Sequence, residues 1–583
     1  MAEMIPPATH RPAIRANRYM VSTNHYLATM AATRILEQGG NAIDAGVAAG
    51  LCINVLQPDM TNLGGVAPII LYSAQHRKVI SISGVGWWPQ RASIEFFLRE
   101  HGGDMPPGVH RVVTPAAVDC WLTALELYGT MSLAEVAAPA ITLAEDGFPV
   151  YPFLAASLSS VADIIAKWPS TAAIYLPKGR APRVGERLVQ KDLARTLRKL
   201  VEAEEGMKHR GRAAGIRAAR DRFYQGDIAE QIAAFFDEEG GFLTLDDLKA
   251  FHVDVEEPLV VRYRGYEIYG CQPWCQGPVA LEALAILEGY DLQALGHNSA
   301  DALHLILETL KAAFADRERY IGDPRFVDVP INGILNPSYA ADWRSRIRLD
   351  RAAPDMPEPG DPWRYQHDGK SRETDHSYTR PRPGQAPLER DTSYLCVVDE
   401  WGNAFSATPS DVIEASPVVP GLGIVVSGRG GQSWLDPDHP SSLAPGKRPR
   451  LTPNPGLIMK DGKVVTPYGT PGLDVQPQAM VQVAVNLIDF GLDPQAAVEA
   501  PRVASYSFPS SSHPHGYSPG LVMAEARIPD DVLKELARRG HNIQKWPDFS
   551  PRAGSVCLAF VDHEHGCVVG AADPRRNAYA MGW

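Results

Sequence analysis

One junction in this sequence could carry out acyl transfer unaided. Asp391-Thr392 opens the run Thr392-Ser393-Tyr394-Leu395-Cys396-Val397-Val398-Asp399. A threonine inside a chain is a weak nucleophile, because its hydroxyl stays protonated at neutral pH and needs a base. A threonine that becomes a chain terminus carries both a hydroxyl and a free α-amine. That amine, with a reference pKa of roughly 8, can take the proton from its own hydroxyl, so no separate histidine is required. Threonine is also a good strand starter, so the junction does not by itself decide for chemistry.

Other chemistry-bearing residues lead nowhere comparable. His563, His565 and Cys567 alternate as metal ligands on a strand would, yet Asp562 to Gly566 reads as the turn of a C-terminal hairpin. Cys271 and Cys275 have no second pair at zinc-site spacing. The seven cysteines are odd in number and scattered, which fits buried thiols rather than a disulfide framework. No Walker-type phosphate loop and no GxSxG elbow occurs. Neither a metal nor a cofactor is expected.

The elements around the junction follow from its composition. The β-branched and aromatic run from Thr392 to Asp399 predicts a strand, Glu400 to Asn403 a turn, and Ala404 to Thr408 a returning strand. Upstream, prolines at 354, 357, 359, 362, 381, 383 and 387 mix with many charges, so about 353–390 reads as a solvated, mobile linker. Near the start, helical spacing from His25 to Leu36 stops at Gly39-Gly40, and Asn41 can cap a second helix with Asp44 three residues on. The small residues of that helix would let a neighbouring element approach its backbone. A third helix is predicted from Ser299 to Arg319, ended by Gly322-Asp323-Pro324.

With 583 residues, 45% hydrophobic and 21% charged, the chain has ordinary globular composition and should form one large body. A net charge of -12 argues against nucleic acid or anionic membrane as partners. The basic run Lys208, Arg210, Arg212, Arg217, Arg220 and Arg222 reads as a solvated helix face. Residues 1–18 lack the apolar core of a secretory signal, and no window reaches 18 uncharged apolar residues. A soluble, cytoplasmic protein is the expectation.

Several stretches, in order, resemble the γ-glutamyltransferase superfamily over nearly the whole length. They are Gly39-Gly40-Asn41-Ala42-Ile43-Asp44-Ala45, Leu63-Gly64-Gly65, Ile286 to Leu292, Leu295 to Ser299, Ala313 to Arg317 with Gly322-Asp323-Pro324, Asp391-Thr392 with Val397-Val398-Asp399 and Gly402-Asn403-Ala404, and Ala572-Asp573-Pro574-Arg575-Arg576. The resemblance implies an α+β, four-layer αββα N-terminal nucleophile hydrolase, made as a precursor that cuts itself at Asp391–Thr392. Residues 1–391 would be the large subunit and 392–583 the small one, staying associated, and homo-oligomers of that processed heterodimer remain open. Thr392 would be the nucleophile. Thr408 and Ser410 fall where the family places hydroxyls that hold it, with Pro409 between them as a departure. Gly472 and Leu473, within Gly469-Thr470-Pro471-Gly472-Leu473-Asp474, fall at the family's Gly-Gly oxyanion pair; Leu473 departs but keeps its N–H.

The glutamate contacts of that family have no counterpart. The arginine's place falls in Ser83 to Pro89, which has no cation; the aspartate's falls in Ser427 to Gly431; the Ser-Ser pair becomes Pro449-Arg450. The runs Gly428-Arg429-Gly430, His439-Pro440, Ala444 to Pro449 and Gln476-Pro477-Gln478 are more similar to the amidohydrolase and cephalosporin-acylase-like branch, some of whose members cleave small amides such as oxamate. A glycine-flanked Arg429 could offer its guanidinium fork to a substrate carboxylate. Trp87 and Trp88 could floor an acyl pocket or simply pack. The reading is an autoprocessed hydrolase of a small, carboxylate-bearing amide. The alternatives are a γ-glutamyl hydrolase or transpeptidase with an altered glutamate pocket, and an inactive homologue serving as a binding scaffold.

Overall fold

The computed structural model describes residues 9–366 and 392–583. Two seven-stranded sheets form its centre. One runs, in spatial order, Ile14–Ala16, Cys567–Ala572, Cys557–Asp562, Lys463–Gly469, Gly456–Lys460, Tyr266–Gly270 and Leu259–Tyr263. The other runs Tyr579–Gly582, Met20–Thr23, Leu395–Val398 (β1), Ala404–Ala407 (β2), Ile69–Ser73, Lys78–Ile82 and Val255–Glu256.

Side-chain alternation along β1 explains the layering. Leu395 and Val397 enter an apolar cluster with helices Tyr26–Glu37 (α1) and Ala42–Leu56 (α2), whereas Cys396 and Val398 enter a cluster shared with Leu457, Met459 and Ala559 of the opposite sheet. A period of two puts successive side chains on opposite faces, so one strand serves both interfaces. The far sheet is covered in turn by Gly277–Leu287 (α3), Ala300–Tyr320 (α4) and Val475–Ile488 (α5). The result is the expected α+β arrangement of helices, two sheets and helices.

The predicted helix boundaries hold for clear reasons. Asn41 and Asp44 form a reciprocal capping box at the start of α2, and Ser299 accepts from the Ala302 amide at the start of α4. The small residues of α2 are needed: a Cβ on Gly46 would lie 2.2 Å from the Phe405 ring of β2. Of the cysteines, all are free thiols and only Cys567 is not fully buried.

Three expectations need correction. The first concerns the hairpin: pairing begins at Leu395 rather than Thr392 and ends at Ala407. Thr392 instead sends its N–H to the Met60 carbonyl, and Pro409 has no N–H for a ladder. Secondly, the basic run is not wholly solvated, since Arg220 is buried against Asp119 and the Phe251 carbonyl, and Arg212 caps the Leu125 and Glu126 carbonyls. The third is the linker's beginning, which is docked. Ala353 bonds through both backbone groups to Glu308 and Lys311 of α4, and Gly360 likewise bonds to Asp316 and Tyr320. Asp391 and the rest of the linker lie outside the described residues.

Candidate active site

Thr392 is 1% exposed and sits at φ +75°, a conformation that costs a β-branched residue of order 1–3 kcal/mol. Its Oγ1 lies 2.7 Å from Ser410 Oγ and 3.4 Å from Gln476 Nε2. Arg429 donates to the same Ser410 oxygen and places its Nε 3.4 Å from Asp411 Oδ1, while Ser427 donates to Asp411 Oδ2 at 2.7 Å. A guanidinium can only donate. Ser410 Oγ therefore accepts from Arg429, and the one proton between Ser410 and Thr392 lies on the line joining their oxygens.

Backbone around α2 holds this arrangement. The Met60 carbonyl accepts from both Thr392 and Asp411 amides, and Val66 bridges to Ser410 in both directions. A Cβ on Gly65 would lie 2.3 Å from the Ser410 carbonyl, so glycine is what lets these two segments meet. Thr408 is buried too, but its Oγ1 has no hydrogen-bond partner among the described residues. Of the two hydroxyls singled out on the returning strand, Ser410 reaches Thr392 Oγ1 and Thr408 does not.

In the turn between the facing sheet's strand Lys463–Gly469 and α5, Gly472 takes φ +128° and Leu473 φ +49°. Neither N–H has an acceptor among the described residues, which is the condition a site for a developing oxyanion must meet. The Leu473 carbonyl is fixed instead: Gln276 Nε2 donates to it at 2.8 Å, and Gln276 Oε1 accepts from Arg317 of α4 at 3.1 Å. Arg317 is fully buried and also pairs with Asp474 and Glu318. The Ala313–Arg317 stretch, read from the sequence as part of a helix and of the family resemblance, thus ends in the side chain that braces the 472–474 turn.

A cavity of about 410 Å³ opens beside these groups, lined among others by Arg111, Asp411, Glu414, Arg429, Gln432 and Leu473. Arg111 is half-buried; loss of water lowers its pKa to about 10, against the pull of Glu414 and Asp411. Nothing in the local sequence marks Arg111, because the acids and the second arginine it meets in the cavity, Asp411, Glu414 and Arg429, come from a distant part of the chain. The positions discussed for glutamate recognition are occupied otherwise. Arg450 pairs with Glu318 inside the protein. Trp88 packs on Phe97 and donates to Ser433, so it is core, and Trp87 stands under Arg325.

Among the described residues one group has donors close enough to share an ion: His304, Glu308 and His541. His304 Nδ1 and His541 Nε2 already bond each other at 2.9 Å, and Lys311 Nζ lies 2.8 Å from Glu308. A cation entering there would have to displace an ammonium.

Comparison with known proteins matches this architecture. The family model described as gamma-glutamyltranspeptidase matches residues 28–583. A glutathione hydrolase-like proenzyme of Bacillus subtilis is 32% identical, covering 98% of this chain and 99% of that protein. An acylase proenzyme of a Pseudomonas species is 34% identical over 95% of this chain and 92% of its own length. The crystal structure of cephalosporin acylase from Bacillus halodurans superimposes with a TM-score of 0.84 at 32% identity, covering 100% of this chain and 99% of that one. With whole-length relatives that are proenzymes and acylases, the chain belongs to the gamma-glutamyltranspeptidase family and is an autoprocessed N-terminal nucleophile hydrolase or acylase.

Proposed function

We propose that Thr392 is the nucleophile, freed by cleavage of the Asp391–Thr392 bond, and that the enzyme hydrolyses a small amide whose acyl part carries a carboxylate. The observation that carries this is the contact of Thr392 Oγ1 with Ser410 Oγ, backed by Arg429, at the edge of a cavity that holds a second arginine. In the precursor, Thr392 Oγ1 attacks the Asp391 carbonyl, the C–N bond breaks, and water cleaves the resulting ester to leave a free α-amine. Breaking that bond also removes the torsion that holds Thr392 at φ +75°, so its strain favours scission. In turnover the amine takes the hydroxyl proton, the Gly472 and Leu473 amides face the oxyanion, and Arg429 with Arg111 receives the substrate carboxylate.

The test is a denaturing gel followed by an amide panel. Wild type should run as two pieces of the 63.5 kDa chain, with the smaller beginning at Thr392. Thr392→Ala should stay whole and lose turnover by about four orders of magnitude or more. A preparation that stays whole and still hydrolyses amides would sink the reading. A second reading, a γ-glutamyl hydrolase or transpeptidase with a rebuilt head-group site, is favoured by Asp411 and Glu414, acids in the same cavity that could face an ammonium. Turnover of a γ-glutamyl anilide exceeding that of its des-amino glutaryl analogue would select it.

A further inference from the structure

The reading of Thr392 as nucleophile leaves one contact to its reacting oxygen without a role. Gln476 is fully buried in the first turn of α5, and its Nε2 lies 3.4 Å from Thr392 Oγ1. Its orientation is set: Oε1 accepts from the Asn454 amide at 3.3 Å, which turns the NH2 end toward the threonine. The residue is also rigidly based, since its own N–H bonds to the Leu473 carbonyl and α5 runs 14 residues into the core behind it. A helix N-terminus favours negative charge at its open end.

We propose that Gln476 is a catalytic hydrogen-bond donor to the Thr392 oxygen itself, distinct from the backbone amides that face the carbonyl oxygen. The inference rests on the Thr392 reading and adds a partner for the other oxygen of the tetrahedral intermediate. When Oγ1 bonds to the acyl carbon, its proton goes to the base. When the ester later breaks, the C–Oγ1 electron pair returns to Oγ1, which takes a proton back. In both directions the oxygen passes through a state richer in negative charge than a hydroxyl or an ester. A donor held there stabilises that state more than either ground state, which is the condition for lowering a barrier. The same step occurs in self-cleavage, so the role can be measured without knowing the substrate.

The experiment follows conversion of freshly made 63.5 kDa chain into its two pieces from about pH 4 to about pH 8, for wild type, Gln476→Met and Gln476→Glu, with melting temperatures recorded. Methionine fills the space without donating; Gln476→Met should divide about a hundredfold more slowly at every pH. The glutamate variant supplies an O–H donor only while protonated. It should approach wild type at the acid end and fall toward the methionine rate as the carboxyl ionises. A wild-type chain that divides at residue 392 while Gln476→Met keeps pace overturns this proposal alone. Equal slowing of both variants at every pH, with lowered melting temperatures, also overturns it, since packing would then explain the loss. A wild-type chain that never divides there removes the nucleophile and this proposal with it.

Discussion

The surroundings of Thr392 and the cavity beside them are built on opposite plans. Around Thr392 the contacts come from buried residues on or close to core elements: Gln476 in α5, Ser410 three residues after β2 and Met60 four residues after α2. The cavity draws on 104–111, 160–164, 411–415, 428–432 and 512–514 together with Leu473, and most of its lining residues lie outside helices and strands. Chemistry that must position one oxygen to a fraction of an ångström is placed on rigid elements, while the part that selects a substrate is placed where loops can vary. Variants on the two sides should therefore fail in different ways.

The largest effect is expected on the rigid side. Replacing Arg317 by methionine removes the partner of Asp474 and one partner of Glu318, both buried, and releases Gln276 from its hold on the Leu473 carbonyl. Stripping one member from a buried ion pair typically costs about 3–5 kcal/mol, because the remaining charge is left without compensation. The urea midpoint should fall and self-cleavage should slow together. Loss of stability with an unchanged cleavage rate would break the link drawn between the arginine and the 472–474 turn.

The loop side should respond in binding alone. Arg111 touches neither Thr392 nor Ser410, so Arg111→Ala should divide normally. Losing a charged hydrogen bond to a carboxylate is worth roughly 2–3 kcal/mol, so KM for a carboxylated amide should rise about thirtyfold to 150-fold with kcat little changed. An uncharged amide of similar size should show no such rise. Arg429→Ala provides the contrast, since its guanidinium also donates to Ser410 and both cleavage and binding should suffer. If Arg111→Ala instead slows self-cleavage, the two sides are not separate.

The same division explains what could be read from the sequence. The capped helices and the strand–turn–strand after Thr392 are written in local patterns, Asn41 with Asp44 and a β-branched run closed by a turn, whereas the layers were legible only through the family resemblance. Ser410, Gly472 and Leu473 could be pointed to because family motifs carry them. Arg111 and Gln476 could not, for a different reason in each case. Gln476 stood in a motif that suggested a branch of the family but offered no chemistry, since a buried helical glutamine has the same local signature whether or not it meets a nucleophile. Arg111 closes a short 3-10 turn, and the charged groups it meets in the cavity, Asp411, Glu414 and Arg429, lie about three hundred residues further on. The docked start of the linker was hidden likewise, because prolines and charges mark a lack of regular structure, and backbone bonds to Glu308, Lys311 and Asp316 can fix an irregular segment just as firmly.

Leu473 tests the boundary between the two sides, because the proposed mechanism puts its N–H at the oxyanion while the residue also lines the cavity. At φ +49° a leucine carries roughly 1 kcal/mol of strain that glycine would not. Leu473→Gly relieves this but forfeits the burial of a side chain that is only 7% exposed, worth about 2 kcal/mol, and frees an additional unfolded-state torsion. The losses outweigh the relief of strain, leaving a net cost of about 1–2 kcal/mol in stability. Since Gln276 still holds the carbonyl of residue 473, the amide should stay aimed. Turnover of a small amide should then remain within about threefold of wild type, with bulkier acyl groups gaining from the added space. A fall of a hundredfold on every amide, with self-cleavage slowed alike, would mean that the leucine side chain itself aligns the turn, and that the rigid side reaches further into the cavity than the loop segments suggest.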